Sequence, residues 1–267
     1  MDITTTLGLV LGFGAILAGQ ALEGGHASSI MAGPAALIVF GGTFGCVFVG
    51  YPLKDVIASF TKGLKLAFGN PKILDPAETI AMLCDMAKTA RRDGLLALDD
   101  KVAEVDNEFM VTGVRHMVDG VDGTILREIM ESDMDHREHE LVVTAKFWEA
   151  AGGFSPTIGI VGAVLGLIHT MENLDDPSKI GAGIATAFVA TVYGVGAANL
   201  IFLPVGTKIK RKVELMMSAD EMVMEGLLAV QAGHNSHVIE ARLAHYAHGS
   251  KKHGDKEAAK EPAAAAS

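Results

Sequence analysis

Basic residues are missing from four long stretches of this 267-residue chain, although Lys and Arg together number 22. They crowd into a few short segments instead, and that blockiness excludes a compact soluble enzyme. Cysteine is nearly absent: Cys46 in an apolar run and Cys84 in a polar one give neither a disulfide framework nor a metal-type spacing. The formal net charge of −10 counts against nucleic acid as a partner. No strand-like alternation competes with helical periodicity. No nucleophile–base pair or catalytic metal cluster stands out, so no catalytic residue and no resident cofactor is expected. His234 and His237 share a helical spacing but lack a third ligand, and no metal site is assigned to them.

What the basic residues leave behind is apolar. Residues 3–22, 30–51, 154–171 and 180–203 contain no Asp, Glu, Lys or Arg. About 20 apolar residues at 1.5 Å each cover a bilayer core of roughly 30 Å, so each run qualifies as a membrane span. The first has no basic leader and no small-residue cleavage site, and reads as a retained span. Lys54, Lys62 and Lys65 follow the second span, and Lys208, Lys210, Arg211 and Lys212 follow the fourth. Positive flanks stay in the cytoplasm, which puts both termini inside and the short loops 22–30 and 171–180 outside.

The predicted fold is an all-α membrane protein with four transmembrane helices in two hairpins, a helical cytoplasmic insert and a cytoplasmic C-terminal helix. Its segments are a hairpin over 1–51, the insert over 52–152, a hairpin over 153–204, a helix over 205–248 and a disordered tail over 249–267. Residues 52–68 read as an amphipathic helix on the inner leaflet, with Val56, Ile57, Phe60 and Leu64 on one face. Asp75-Pro76-Ala77-Glu78 starts a helix that stops at Gly94; a second is expected over 98–112, and a third from Asp122 to about Ala151.

Two spans carry more than apolar filling. Pro156, Gly159, Gly162, Ala163 and Gly166 lie along one face of the third, and Ala187, Ala190, Thr191, Gly194 and Ala198 along one face of the fourth. Two readings fit: helix packing within one subunit, or a smooth wall around a helix of another chain, whose carboxylate carries an ion. Tyr193 reads as part of that wall rather than as a site. By position alone, Pro156 suits a first helical turn and Pro204 a helix end.

The segment SPTIGIVGAVLGLIHTMENLDDPSKIGAGIATAFVATVYGVGAANLIFLP (155–204) closely resembles the core signature of the MotA/PomA flagellar stator subunits, within the MotA–TolQ–ExbB proton-channel superfamily. The likeness extends through the four-span layout, the insert and ARRDGLLALDD (90–100). The resemblance implies an ion-conducting stator subunit of the bacterial flagellar motor, acting in motility and chemotaxis from the inner membrane. Five copies would surround a dimer of a single-span MotB-type partner, in contact with membrane lipid. It implies coupling roles for Pro156 and Pro204, and contact with the rotor protein FliG through Arg91, Arg92 and Asp99. Asp99 stands where better-known members carry Glu, which shortens the reach at that position. Thr191 matches the polar residue facing the ion path. Ala163 and Ala190 stand where sodium-type members carry threonine, which implies a proton as the transported ion, with Na⁺ as the alternative. The rival is a TolQ/ExbB-type energiser of envelope transport. Those relatives resemble a three-span plan with an outward N-terminus, unlike this chain.

Overall fold

The computed structural model describes residues 3–258 apart from 72, 103, 104, 173 and 176, with backbone alone for 27, 177–179 and 248–258. The described residues are helical almost throughout, without a strand. They form two compact units, one from Met1–Pro71 with His139–Val213, the other from Lys72–Glu138 with Glu214–Ser267. These boundaries differ from the expected segments: 52–71 and 139–152 join the apolar helices instead of the charged insert. Four helices are long and apolar enough to cross a membrane.

The first unit opens with α1 (Ile3–Leu22), uncharged and without one buried residue. A 3₁₀ turn (Ala27–Ile30) leads to α2 (Gly33–Gly50), which begins with Pro34 in its first turn, where a backbone N–H has no helical partner anyway. Helix α3 (53–68) follows Pro52 at its N-cap. Its centre is a π turn, Ser59–Gly63, and further π turns occur at Leu37–Gly41 in α2 and at Ala198–Phe202. The expected face of α3 divides in two. Val56, Ser59, Gly63, Leu66 and Ala67 are buried, whereas Leu53, Ile57 and Phe60 are exposed on an outward apolar face. Both sets recur three or four residues apart, so α3 carries a buried stripe and an outward apolar stripe side by side.

A π turn loosens its backbone hydrogen bonds, and the one in α3 is repaired by a side chain. Trp148 Nε1 donates to Ser59 O (3.2 Å). Around that bond Phe44, Phe60, Phe147, Trp148 and Phe202 gather with ring centroids 5.3–6.4 Å apart, mostly edge to face. Lys212 fastens the other end of α3: its ammonium donates to the carbonyls of Leu66 (3.0 Å), Ala67 (3.2 Å) and Gly69 (2.6 Å). A cation suits these groups, since they form the negative end of the helix dipole.

The second unit starts with α4 (Pro76–Asp93), capped by Asp75, whose carboxylate accepts from Ala77 N (2.9 Å) and Glu78 N (3.1 Å). It ends at Gly94, whose φ of 87° suits glycine alone. The single helix expected over 98–112 is two, α5 (Leu98–Val102) and α6 (Glu108–Val118). Asn107 makes the break: in extended conformation (φ −145°), its side chain caps α6 by accepting from Met110 N (2.7 Å). The helix expected from Asp122 to about Ala151 feeds straight into the third apolar stretch, and the two form one uninterrupted helix, α7 (Gly123–Glu172). Helix α8 (177–231) is continuous as well. The expected helix over 205–248 breaks after Gln231, at Gly233 (φ 73°), and restarts as α9 (Ser236–Ala258) under an Asn235 cap that accepts from Val238 N (2.9 Å). Helix α9 continues past 248; the remainder of the expected tail, 259–267, lies outside the described residues. The core of this unit is rich in methionine: Leu83, Met86, Leu98, Met110, Met117, Leu126, Leu227, Ile239 and Leu243 are fully buried.

Candidate functional site

The small-residue faces of α7 and α8 meet each other. A Cβ on Gly194 would fall 2.7 Å from Ser155 O and 2.9 Å from Gly159 Cα; one on Gly162, 3.0 Å from Ala190 Cβ; one on Gly166, 3.1 Å from Ala187 Cα. The two backbones are therefore in contact, and Ser155 Oγ bridges them by donating to Gly194 O (3.0 Å). Of the two readings of these faces, packing within one subunit holds for Gly159, Gly162, Gly166, Ala187, Ala190 and Gly194. Ala190 is only 1% exposed, in an apolar cluster with Ala35, Val39 and Val189. Ala163 and Thr191 stay half-buried. Thr157, Thr170 and Thr186 each spend their hydroxyl on their own helix backbone. Among the described residues the Thr191 hydroxyl makes no such bond.

Both prolines sit inside helices, so neither is the first-turn or terminating residue that position alone suggests. Pro156 lies deep within α7 and deprives Gly152 O of its helical donor. Pro204 lies two residues past the π turn Ala198–Phe202, and α8 continues beyond it to Gln231. Each helix thus has a weakened hydrogen-bond ladder where a bend can be absorbed.

Tyr193, which composition gave no reason to single out, ties α8 to the turn before α2. Its hydroxyl donates to Ile30 O (2.6 Å) and accepts from Ala32 N (3.2 Å). Tyr193→Phe removes both bonds and leaves a backbone donor and acceptor unpaired. A loss of about 2 kcal/mol is expected, read as a lower thermal midpoint of the detergent-purified protein; an unchanged midpoint would show that the pin holds nothing.

Arg91, Arg92 and Asp99 belong to the second unit, at the end of α4 and the start of α5, and all three are exposed. Arg92 shares its charge with Asp93 (2.7 Å), and this guanidinium hydrogen bond holds the Asp93 carboxyl below the usual carboxylate range. Arg91 and Asp99 form no ion pair among the described residues. Asp85, about two turns before Arg92 on the same helix, is bonded to Lys101. Deeper in this unit Asp220, 5% exposed, meets Arg137 at 3.0 Å; burial pushes its carboxyl up, against the pull of the guanidinium. His234 lies in the break before α9 and His237 in its first turn, so the two do not share the helix their spacing suggested; among the described residues no group of three metal-binding side chains occurs.

Four helices that each carry an uncharged apolar stretch, two of them locked backbone to backbone, together with a charged helical unit, define a multi-pass membrane subunit. Residues 101–222 match the MotA/TolQ/ExbB proton channel family, and residues 6–94 match the Motility protein A N-terminal family. Motility protein A of Helicobacter pylori is 36% identical over 246 residues, covering 92% of this chain and 95% of that protein. The structure of C. jejuni MotAB superposes with a TM-score of 0.85 at 35% identity, over 91% of this chain and 94% of that one. The flagellar MotAB stator complex of Bacillus subtilis gives the same TM-score at 34% identity, over 92% and 96%. The chain belongs to the MotA/TolQ/ExbB proton channel family and, within it, to the flagellar stator subunits of the MotA/PomA type. The match at 6–94 favours this branch over the envelope energisers.

Proposed function

We propose that this subunit forms, with a dimer of a MotB-type single-span partner, an inner-membrane channel that turns proton-motive force into torque on the rotor protein FliG. One observation carries the reading: residues 3–22, 30–51, 154–171 and 180–203 hold no Asp, Glu, Lys or Arg. A transported ion therefore finds no carrier in this chain, and the acid that binds it comes from the partner. A buried carboxylate costs several kcal/mol until it is protonated, while one charge crossing 100 mV releases about 2.3 kcal/mol. Alternate protonation of two partner acids drives five copies of this chain, set around the dimer, in steps. Both termini and the charged unit lie in the cytoplasm, and lipid covers the outward apolar faces.

The roles within the chain follow. The unspent Thr191 hydroxyl and the small Ala163 face the ion path; Ala190 serves the path only by keeping α7 and α8 in contact. Alanine at 163 and 190 offers no oxygen to a dehydrated Na⁺, which favours the proton. Pro156 and Pro204 absorb the bending that each step imposes, and Arg91, Arg92 and Asp99 engage the rotor by charge complementarity. The test is ion flux in liposomes. The subunit alone should pass no current, and co-reconstitution with the partner should give a proton flux indifferent to replacing Na⁺ by K⁺. A selective conductance from the subunit alone would overturn the mechanism, and a flux that requires Na⁺ would overturn the choice of ion.

A further inference from the structure

The last turns of α4 and the first turn of α9 wall a single open basin of about 650 Å³, lined by Lys88, Arg91 and Arg92 on one side and Ser236, His237 and Glu240 on the other. This second wall is firmly held. Cys84 Sγ donates to Ser236 O (3.4 Å), Ser236 Oγ donates back to Cys84 O (3.3 Å), and Ile239 and Leu243 are fully buried just beyond. Burial pushes the Cys84 thiol up, so this cysteine serves as a tie rather than as a nucleophile.

The charge around the basin is unbalanced. Lys88 and Arg91 are exposed and form no ion pair among the described residues, while Arg92 is paired with Asp93 and Asp85 with Lys101, so two free cations face one lining acid, Glu240. In a chain of net charge −10, unspent cations on a rigid wall call for an acidic occupant. Asp99 lines a separate basin with Asp100 and Arg115. The surface therefore alternates in sign, as a contact with a protein of mixed charge does, and a lone small anion would leave the acidic basin unexplained.

We infer that the first turn of α9 forms the second wall of the rotor-contacting surface, and that Lys88 and His237 flank Arg91 in seating an acidic segment of the rotor protein. The inference rests on the rotor contact proposed above and adds α9 to it. Lys88 and His237 are exposed, so changing them leaves the core intact.

The test compares stall torque in tethered cells carrying the full-length chain with Lys88→Glu, His237→Glu, His237→Lys or, as reference, Arg91→Glu. Membrane level and partner co-purification are measured alongside. A like charge facing the acidic segment weakens engagement roughly tenfold or more, so Lys88→Glu and His237→Glu should lose most of the torque at normal membrane level, while His237→Lys keeps it. If Arg91→Glu loses torque and the other two acidic variants do not, α9 is no part of the surface and the rotor contact stands without it. If His237→Lys fails as badly as His237→Glu, the effect is not electrostatic and the inference falls. If Arg91→Glu itself turns normally, the rotor contact fails, and α9 with it.

Discussion

Replacing Gly194 by valine is expected to force α8 off α7 and abolish motility, whereas Gly196→Val is tolerated. The difference lies in what a side chain meets. At Gly194 the first carbon lands 2.7 Å from Ser155 O and 2.9 Å from Gly159 Cα, and at Gly196 nothing lies within 4 Å. The obstacles at Gly194 are backbone atoms, which no rotamer change can move aside, so one helix must shift bodily. Overpacking of this kind costs about 1–3 kcal/mol even where the surroundings can yield. Here the shift also breaks the bond from Ser155 Oγ to Gly194 O and uncovers Ala190. The thermal midpoint of the purified subunit and swimming in soft agar measure the outcome. A Gly194→Val protein as stable as Gly196→Val would mean that the two helices are not in backbone contact.

Lys212→Met is the second large expected loss. Lys212 is 7% exposed, and its ammonium donates to three carbonyls at the end of α3, a job that a thioether of similar length cannot do. Orphaning these groups costs about 3 kcal/mol, allowing for water reaching some of them. That penalty falls on one helix end, so the expected result is local release of 53–68 rather than global unfolding. Chymotrypsin should then cut after Phe60 or Phe68 about a hundredfold faster than in the parent, with cleavage elsewhere unchanged. Equal rates at these two sites would show that the aromatic cluster alone retains α3.

Much of this architecture was legible in the residues. Four gaps in the distribution of charge marked the apolar helices, because an unpaired charge in a bilayer is too costly to be scattered at random. Asp75 and Gly94 announced both ends of α4, since cap chemistry is local. Other features depend on partners far along the chain, and no local pattern encodes them. Tyr193 reads in the sequence as part of a channel wall, and only Ile30 and Ala32 against its hydroxyl show what it ties. Lys212 looked like one basic residue among four flanking a span, and only the carbonyls of α3 distinguish it. The small residues of α7 and α8 were visible, but their destination was not: spacing shows that a face is smooth, not which helix lies on it. Asn107 and Gly233 are a cap residue and a breaker, and the helices expected over 98–112 and 205–248 run straight through both.

The π turn at Ala198–Phe202 has a bearing on how this molecule tolerates change. Each helical residue advances the azimuth by about 100°, so a single deletion there would swing Lys208 and Lys212 around the axis while leaving composition and hydropathy untouched. Insertions and deletions at this point are therefore invisible to any count of apolar residues yet decisive for which neighbours the following turns greet. Two frames of reading, one ending at Ala197 and another beginning at Leu203, describe α8 better than a single wheel.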